Sequence, residues 1–122
     1  MQKTIFVVDD NGTNLSTAEE ALEDQYRVIT LSSAGKMFTI LEKVTPDLIL
    51  LDIEMPEMDG FQTLERLKAE ASYAGIPVIF MTATADAAGE ERGKKLGAAD
   101  FVIKPFSAPA LLDCIKKHLK ES

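Results

Sequence analysis

Asp9, Asp10 and Asp52, together with Thr82 and Lys104, are the residues of this chain whose types suit a single reaction. Three carboxylates brought together repel one another unless a cation sits among them, and an all-oxygen donor set suits a hard divalent ion. Mg²⁺ typically takes one or two carboxylates, keeps water at its other positions and leaves room for substrate phosphate. A carboxylate is already ionised near neutral pH and attacks phosphorus without a general base, which makes Asp52 the candidate nucleophile and an acyl phosphate the product. A phosphoryl group in transfer spreads negative charge over three oxygens, so catalysis is mainly positioning and charge compensation. The cation would cover one oxygen, the Lys104 amine another, and the Thr82 hydroxyl with nearby backbone N–H groups a third. An acyl phosphate is labile to water, so the modification would be reversible and suits a switch. Taken alone, the Asp9-Asp10 pair reads equally well as a helix cap.

These residues act together only if the fold gathers them, and the apolar patterning says how it would. Ile5-Phe6-Val7-Val8 runs into Asp9-Asp10, Leu48-Ile49-Leu50-Leu51 into Asp52, Val78-Ile79-Phe80-Met81 into Thr82, and Phe101-Val102-Ile103 into Lys104. Short unbroken apolar runs separated by helical segments read as strands buried on both faces of a parallel sheet. The predicted strands cover about 4–8, 27–31, 47–51, 77–81 and 100–103. With helices between them the chain is (βα)5, an α/β doubly wound, five-stranded parallel sheet of order 2-1-3-4-5, flavodoxin-like in topology. Parallel strands share one carboxyl edge, and in this order strands one and three are neighbours at the switch point, which sets Asp9, Asp10 and Asp52 side by side.

The helical segments carry their own signals. Thr13 or Asn11 can cap a first helix with Leu15, Ala18 and Leu22 on one face. Met37, Ile40, Leu41 and Val44 give the second its stripe, with Thr45-Pro46 as the stop. Phe61, Leu64, Leu67 and Lys68 place a third after Asp59-Gly60, and the fifth begins near Ser107 with Pro109 in its first turn, carrying Ala110, Leu111, Cys114, Ile115 and Leu119. The fourth, between Ala85 and Gly97, contains Gly89 and Gly93, each costing about 1 kcal/mol relative to Ala, and has few large anchors besides Leu96. It is predicted to be the least stable helix. It reads either as a thinly packed surface helix or as a segment that events at Thr82 can shift.

A length of 122 residues makes one domain, 1–122, with no linker, repeat or effector domain in this chain. Thirteen basic against twenty acidic residues give a net charge of −7, which opposes binding to nucleic acid or to anionic membranes. The basic residues that gather late, Lys94-Lys95, Lys104, Lys116-Lys117 and Lys120, form a solvated helix face or a docking patch for a partner. No apolar stretch approaches the ~18 residues needed to cross a bilayer, and the expected location is cytoplasmic. Cys114, the single cysteine, has no internal disulfide partner and is read as an inert thiol among apolar helical neighbours. His118, between Lys117 and Leu119, is read as a solvated terminal residue.

Four segments stand in order along the chain: Val7-Val8-Asp9-Asp10-Asn11, then Asp47 through Asp52-Ile53-Glu54-Met55-Pro56 to Asp59-Gly60, then Pro77 through Thr82-Ala83, and Gly97 through Lys104-Pro105-Phe106. On these segments the chain resembles, over essentially its whole length, the receiver domain of bacterial response regulators in two-component signalling. The resemblance implies phosphorylation of Asp52 by a phosphohistidine in a sensor histidine kinase or a histidine phosphotransfer protein. It implies Mg²⁺ held by Asp10, Asp52 and the backbone carbonyl of Glu54, with Asp9 assisting, often through water. It implies a protein that catalyses its own phosphorylation and dephosphorylation without being a turnover enzyme.

It further implies that phosphorylated Asp52 draws Thr82 inward and that the aromatic residue three before Lys104, here Phe101, changes rotamer. That change alters the face made by helix four, strand five and helix five, the surface offered to a downstream protein, to an effector domain or to a second copy in a homodimer. Phe101 stands where the family commonly has Tyr. Without a hydroxyl its preference must come from packing, and a plain core Phe is the other reading. Glu54 and Thr84, each two residues past a motif residue, would border the path of the hydrolytic water and tune the phosphoryl lifetime. Pro105 fixes the loop after Lys104, the isomer of the bond left open.

Three rival readings exist. A haloacid-dehalogenase-type phosphatase wants an Asp two residues after the nucleophile, where this chain has Glu54 followed by Met55-Pro56. A flavodoxin-like FMN binder would need a phosphate loop where Asp9-Asp10 stands. A receiver-like interaction module working without phosphorylation usually lacks an acid or the lysine, and here none is missing.

Overall fold

The computed structural model describes residues 2–84 and 86–119. Strands and helices alternate as β1 (Thr4–Val8), α1 (Gly12–Leu22), β2 (Arg27–Leu31), α2 (Ala34–Leu41), β3 (Leu48–Asp52), α3 (Gly60–Ala69), β4 (Val78–Thr82), α4 (Ala87–Leu96), β5 (Asp100–Ile103) and α5 (Ala108–His118). The strands form one sheet of order β2-β1-β3-β4-β5. Every neighbouring pair is parallel, as the unbroken apolar runs require.

Side chains of β1, β3 and β4 alternate between two cores. Ile5, Val7, Leu48, Leu50, Ile79 and Met81 pack with Ala18 and Leu22 of α1 and Leu111 and Ile115 of α5. Phe6, Val8, Ile49, Leu51, Val78 and Phe80 pack with Met37 and Leu41 of α2 and Phe61, Leu64 and Leu67 of α3. Each such side chain stabilises the fold by about 1.5–3 kcal/mol when fully buried, so the sheet centre is the rigid platform for whatever lies at its edge.

The helix starts are built as the sequence suggests. Asn11 caps α1, its side chain accepting from the Thr13 and Asn14 N–H groups. Asp59 and Gln62 form a reciprocal capping box on α3, and Ser107 caps α5. Three boundaries differ from expectation. β3 and β4 begin and end one residue later than 47–51 and 77–81, because Asp52 and Thr82 still pair in register, with Met81 and Ile103. α2 stops at Leu41 rather than at Thr45-Pro46: Lys43 and Val44 both donate to the Ile40 carbonyl, closing a turn from which Val44 still reaches the core.

α4 begins at its cap Asp86 and ends at Gly97, whose left-handed φ of 104° suits glycine. Ala85, where the fourth segment was expected to begin, and Lys120, counted with the late basic residues, lie outside the described residues. No helix among the described residues is long and apolar enough to cross a membrane.

Candidate functional site

The parallel register carries Asp9, Asp52, Thr82 and Lys104 to one edge of the sheet. Asp52 is the last residue of β3 and Thr82 the last of β4, while Asp9 follows β1 and Lys104 follows β5. Backbone bonds continue the ladder past the strand ends: Asp9 donates to the Leu31 carbonyl, Ile53 to Met81 and Lys104 to Thr82. The four residues are therefore held by sheet and not by loop.

The Lys104 amine lies between two carboxylates, donating to Asp9 Oδ2 at 2.9 Å and to Asp52 Oδ1 at 2.9 Å. Asp9 is fully buried and Asp52 is 3% exposed, whereas Asp10 is exposed at the rim. One oxygen from each of the three acids falls within 4.8 Å of the others. A single lysine charge thus faces three carboxylates, and the donors are all oxygen, a set that fits a hard divalent cation and would accept a second positive charge. Asp9, Asp10, Asn11, Asp52, Glu54 and Lys104 line a crevice of about 170 Å³ here.

Burial raises the pKa of Asp52, the Lys104 hydrogen bond lowers it and the Asp9 charge raises it again, leaving it at about 6 against the usual 3.8. For Lys104, burial alone would lower the pKa. Its bonds to Asp52 and Asp9 outweigh that and hold the amine above its usual value. The pair is thus an ionised lysine beside a carboxylate that burial makes a stronger base than usual, though still mostly ionised near neutral pH.

Several local devices supporting this edge were not read from the sequence. Asp9 Oδ1 accepts the Asn11 N–H at 2.9 Å, so the residue that caps α1 also fixes a carboxylate of the crevice. Gly60 opens α3 where it abuts β3: a Cβ there would lie 2.7 Å from the Asp52 carbonyl oxygen and 2.7 Å from Ile53 Cα. The Gly60 N–H donates to the Ile53 carbonyl at 2.8 Å, tying the helix start to the strand end that carries Asp52. Between them Glu57 takes a left-handed φ of 69°, uncommon outside glycine and asparagine. The spacing of Asp59-Gly60 after Asp52 was the only sequence signal for this approach.

Thr82 stands slightly apart. Its hydroxyl is engaged with the Thr84 backbone, donating to the carbonyl at 3.1 Å and accepting the N–H at 3.1 Å. Together with Phe101, Phe61, Thr84 and Glu54 it lines an adjoining cavity of about 210 Å³, so Glu54 borders both spaces. Phe101 is half-buried, its ring centroid 5.6 Å from that of Phe80 and its edge over Gly93. It is thus neither a solvent residue nor a fully enclosed core residue. The Lys104-Pro105 bond is cis.

Gly93 has a packing role in α4 beside its cost in helix propensity. It is the buried residue of that helix, and a Cβ on it would lie 2.5 Å from Phe101 Cζ and 3.1 Å from Phe80 Cε2. Its absent side chain is the space that Phe101 occupies, so the helix-propensity cost buys an aromatic contact.

His118 is corrected. It is not a solvated terminal residue: its Nε2 lies 2.8 Å from Asp100 Oδ2, and the side chain is 22% exposed. Cys114 sits one turn earlier on α5 with Sγ 3.6 Å from the same oxygen, a polar neighbour that periodicity alone does not reveal.

The geometry invites comparison with known proteins. A family model described as the response regulator receiver domain matches residues 5–116. A Vibrio cholerae protein named probable cyclic di-GMP phosphodiesterase is 38% identical over 119 residues, which cover 98% of this chain but only 27% of that protein. The polar-differentiation response regulator DivK of Brucella ovis is 32% identical over 123 residues, covering 100% of both. Among solved structures, the chemotaxis protein CheY4 of Vibrio cholerae matches with a TM-score of 0.93 at 25% identity, covering 98% of this chain and 100% of that one.

Proposed function

This chain belongs to the response regulator receiver domain family, and on that premise we propose that it is a phosphorylation-activated signalling switch with Asp52 as phosphoacceptor. The observation that carries the reading is the Lys104 amine held at 2.9 Å from both Asp9 and Asp52 inside an all-oxygen crevice. Such a site suits a phosphoryl group because the lysine already sits where new negative charge would arise.

The donor is a phosphohistidine of a sensor histidine kinase or a histidine phosphotransfer protein. Lys104 occupies Asp52 Oδ1, which leaves Oδ2 as the attacking oxygen. The new bond joins Oδ2 to phosphorus as the phosphorus–nitrogen bond breaks and the donor imidazole departs. Asp10, Asp52 and the Glu54 carbonyl would hold Mg²⁺, with Asp9 assisting. When bound, Mg²⁺ neutralises charge on the carboxylates and on the incoming phosphoryl oxygens. Lys104 then turns from carboxylate to phosphoryl oxygen, and water later cleaves the acyl phosphate.

Output follows from the neighbouring cavity. For its hydroxyl to meet a phosphoryl oxygen, Thr82 must give up its two bonds to the Thr84 backbone. Phe101 lines the same cavity and responds by repacking, which changes the α4-β5-α5 face. That face serves a downstream protein, an effector domain or a second copy of the chain, with neither nucleic acid nor membrane as a direct partner. In this reading residues 1–122 form one receiver domain, and its place of action is the cytoplasm. The phosphodiesterase named for one relative is not carried over, since this chain spans 27% of it.

The test is intact-protein mass after incubation with acetyl phosphate, with and without Mg²⁺. One added phosphoryl group is expected, dependent on Mg²⁺ and absent in Asp52→Asn. No adduct from acetyl phosphate or from a set of phosphorylated histidine kinases would instead favour an interaction module that works unphosphorylated. Glu54 borders both cavities and Thr84 holds the Thr82 hydroxyl, so Glu54→Ala and Thr84→Ala are expected to change the half-life of the phosphorylated form. Decay at the wild-type rate in both variants would remove these positions from lifetime control.

A further inference from the structure

At the opposite edge of the sheet from Asp52, three side chains of different chemistry converge. Asp100 opens β5, and Cys114 and His118 lie one turn apart on α5. Asp100 Oδ2 is 2.8 Å from His118 Nε2 and 3.6 Å from Cys114 Sγ, and one ligand atom from each of the three falls within 4.8 Å of the others. A tetrahedral Zn²⁺ with bonds of about 2.3 Å to sulfur and about 2.0 Å to nitrogen and oxygen sets its donors roughly 3.3–3.5 Å apart. The two separations from Asp100 bracket that range, and all three donors already lie within 4.8 Å of one another.

We propose that Asp100, Cys114 and His118 form a transition-metal site that takes Zn²⁺, with the fourth position open to water or to a ligand from a partner. The donor set distinguishes it from the crevice at the other edge: a thiolate and an imidazole select a borderline-soft ion, where Asp9, Asp10 and Asp52 offer only carboxylate oxygen. The placement is orderly as well. Cys114 and His118 are four apart on one helix face, and all three side chains are partly buried. Asp100 Oδ1 is fixed by the Phe101 N–H at 2.8 Å, which leaves Oδ2 directed at α5.

The groups facing the site account for its behaviour without metal. Lys117 Nζ is 3.9 Å from Asp100 Oδ2 and its side chain is 72% exposed, so it can withdraw into solvent when a cation enters. Burial and the Asp100 carboxylate push the Cys114 thiol up to about 11, keeping it neutral in the metal-free protein. On coordination the thiol proton passes to solvent. A bound ion would tie the end of α5 to the start of β5, the strand that carries Phe101.

The experiment is titration of the full chain with Co²⁺ in excess Mg²⁺, which occupies the carboxylate crevice, under a reductant that is not itself a thiol. A thiolate-to-cobalt charge-transfer band that saturates at one equivalent and is displaced by Zn²⁺ is expected. The band should vanish in Cys114→Ser and persist in Asp52→Asn. Asp100→Asn and His118→Gln should each weaken binding about tenfold or more. Absence of the band in the wild-type chain overturns the site, and so does unchanged affinity in both Asp100→Asn and His118→Gln, because the three contacts would then be plain hydrogen bonds anchoring α5.

Discussion

Asp52 is asked to be two things, a buried residue and an ionised nucleophile, and the conflict is visible in its pKa of about 6 against a usual 3.8. As pH falls the folded chain takes up this proton before the unfolded chain does. Stability from this group is therefore fully present below pH 3.8 and is lost as pH rises through about 6. In the presence of a chelator, Asp52→Asn is expected to be more stable than wild type at pH 8 by on the order of 2 kcal/mol. That advantage should shrink to nothing near pH 4, as read by urea unfolding at several pH values. An advantage independent of pH would mean that ionisation of Asp52 is not its source. The same conflict explains why Lys104 cannot simply satisfy the site: one amine serves two carboxylates, and the third acid, Asp10, stays at the rim.

Glycine decides how α4 meets the sheet. Gly93 allows Phe101 to lie against it, with the Phe80 ring beside both. Gly93→Ala improves helix propensity by about 1 kcal/mol but forces a methyl to within 2.5 Å of the Phe101 ring. Overpacking of this kind typically costs about 1–3 kcal/mol, so a net loss of stability is expected, with displaced Phe101 ring resonances in NMR spectra. A variant as stable as wild type with unmoved Phe101 signals would show that the contact is slack. Its outcome bears on the switch, because the cavity shared by Thr82 and Phe101 is also bordered by Gly89 and Glu90 of α4.

At the scale of the whole molecule, β1, β3 and β4 are buried throughout, while α4 contributes Gly93 as its buried residue. Local opening follows buried contact, so amides of α4 are expected to exchange with solvent at least about tenfold faster than those of α3, measured by hydrogen exchange. Equal protection of the two helices would remove the basis for a readily shifted α4. Much of this architecture was legible in the chain, because a strand buried on both faces needs an unbroken apolar run and a helix needs its caps. Ile5 to Val8 and Leu48 to Leu51 announce their strands, and Asn11, Asp59 and Ser107 their helices. The acids, Thr82 and Lys104 could be placed at one edge by the same reasoning, since parallel strands share a direction. Sequence could not say that the Thr82 hydroxyl bonds the Thr84 backbone, that Gly93 makes room for Phe101, or that His118 and Cys114 meet Asp100. Periodicity fixes which face a residue occupies; distances between side chains on different elements depend on how those elements pack, and only the tertiary structure decided them.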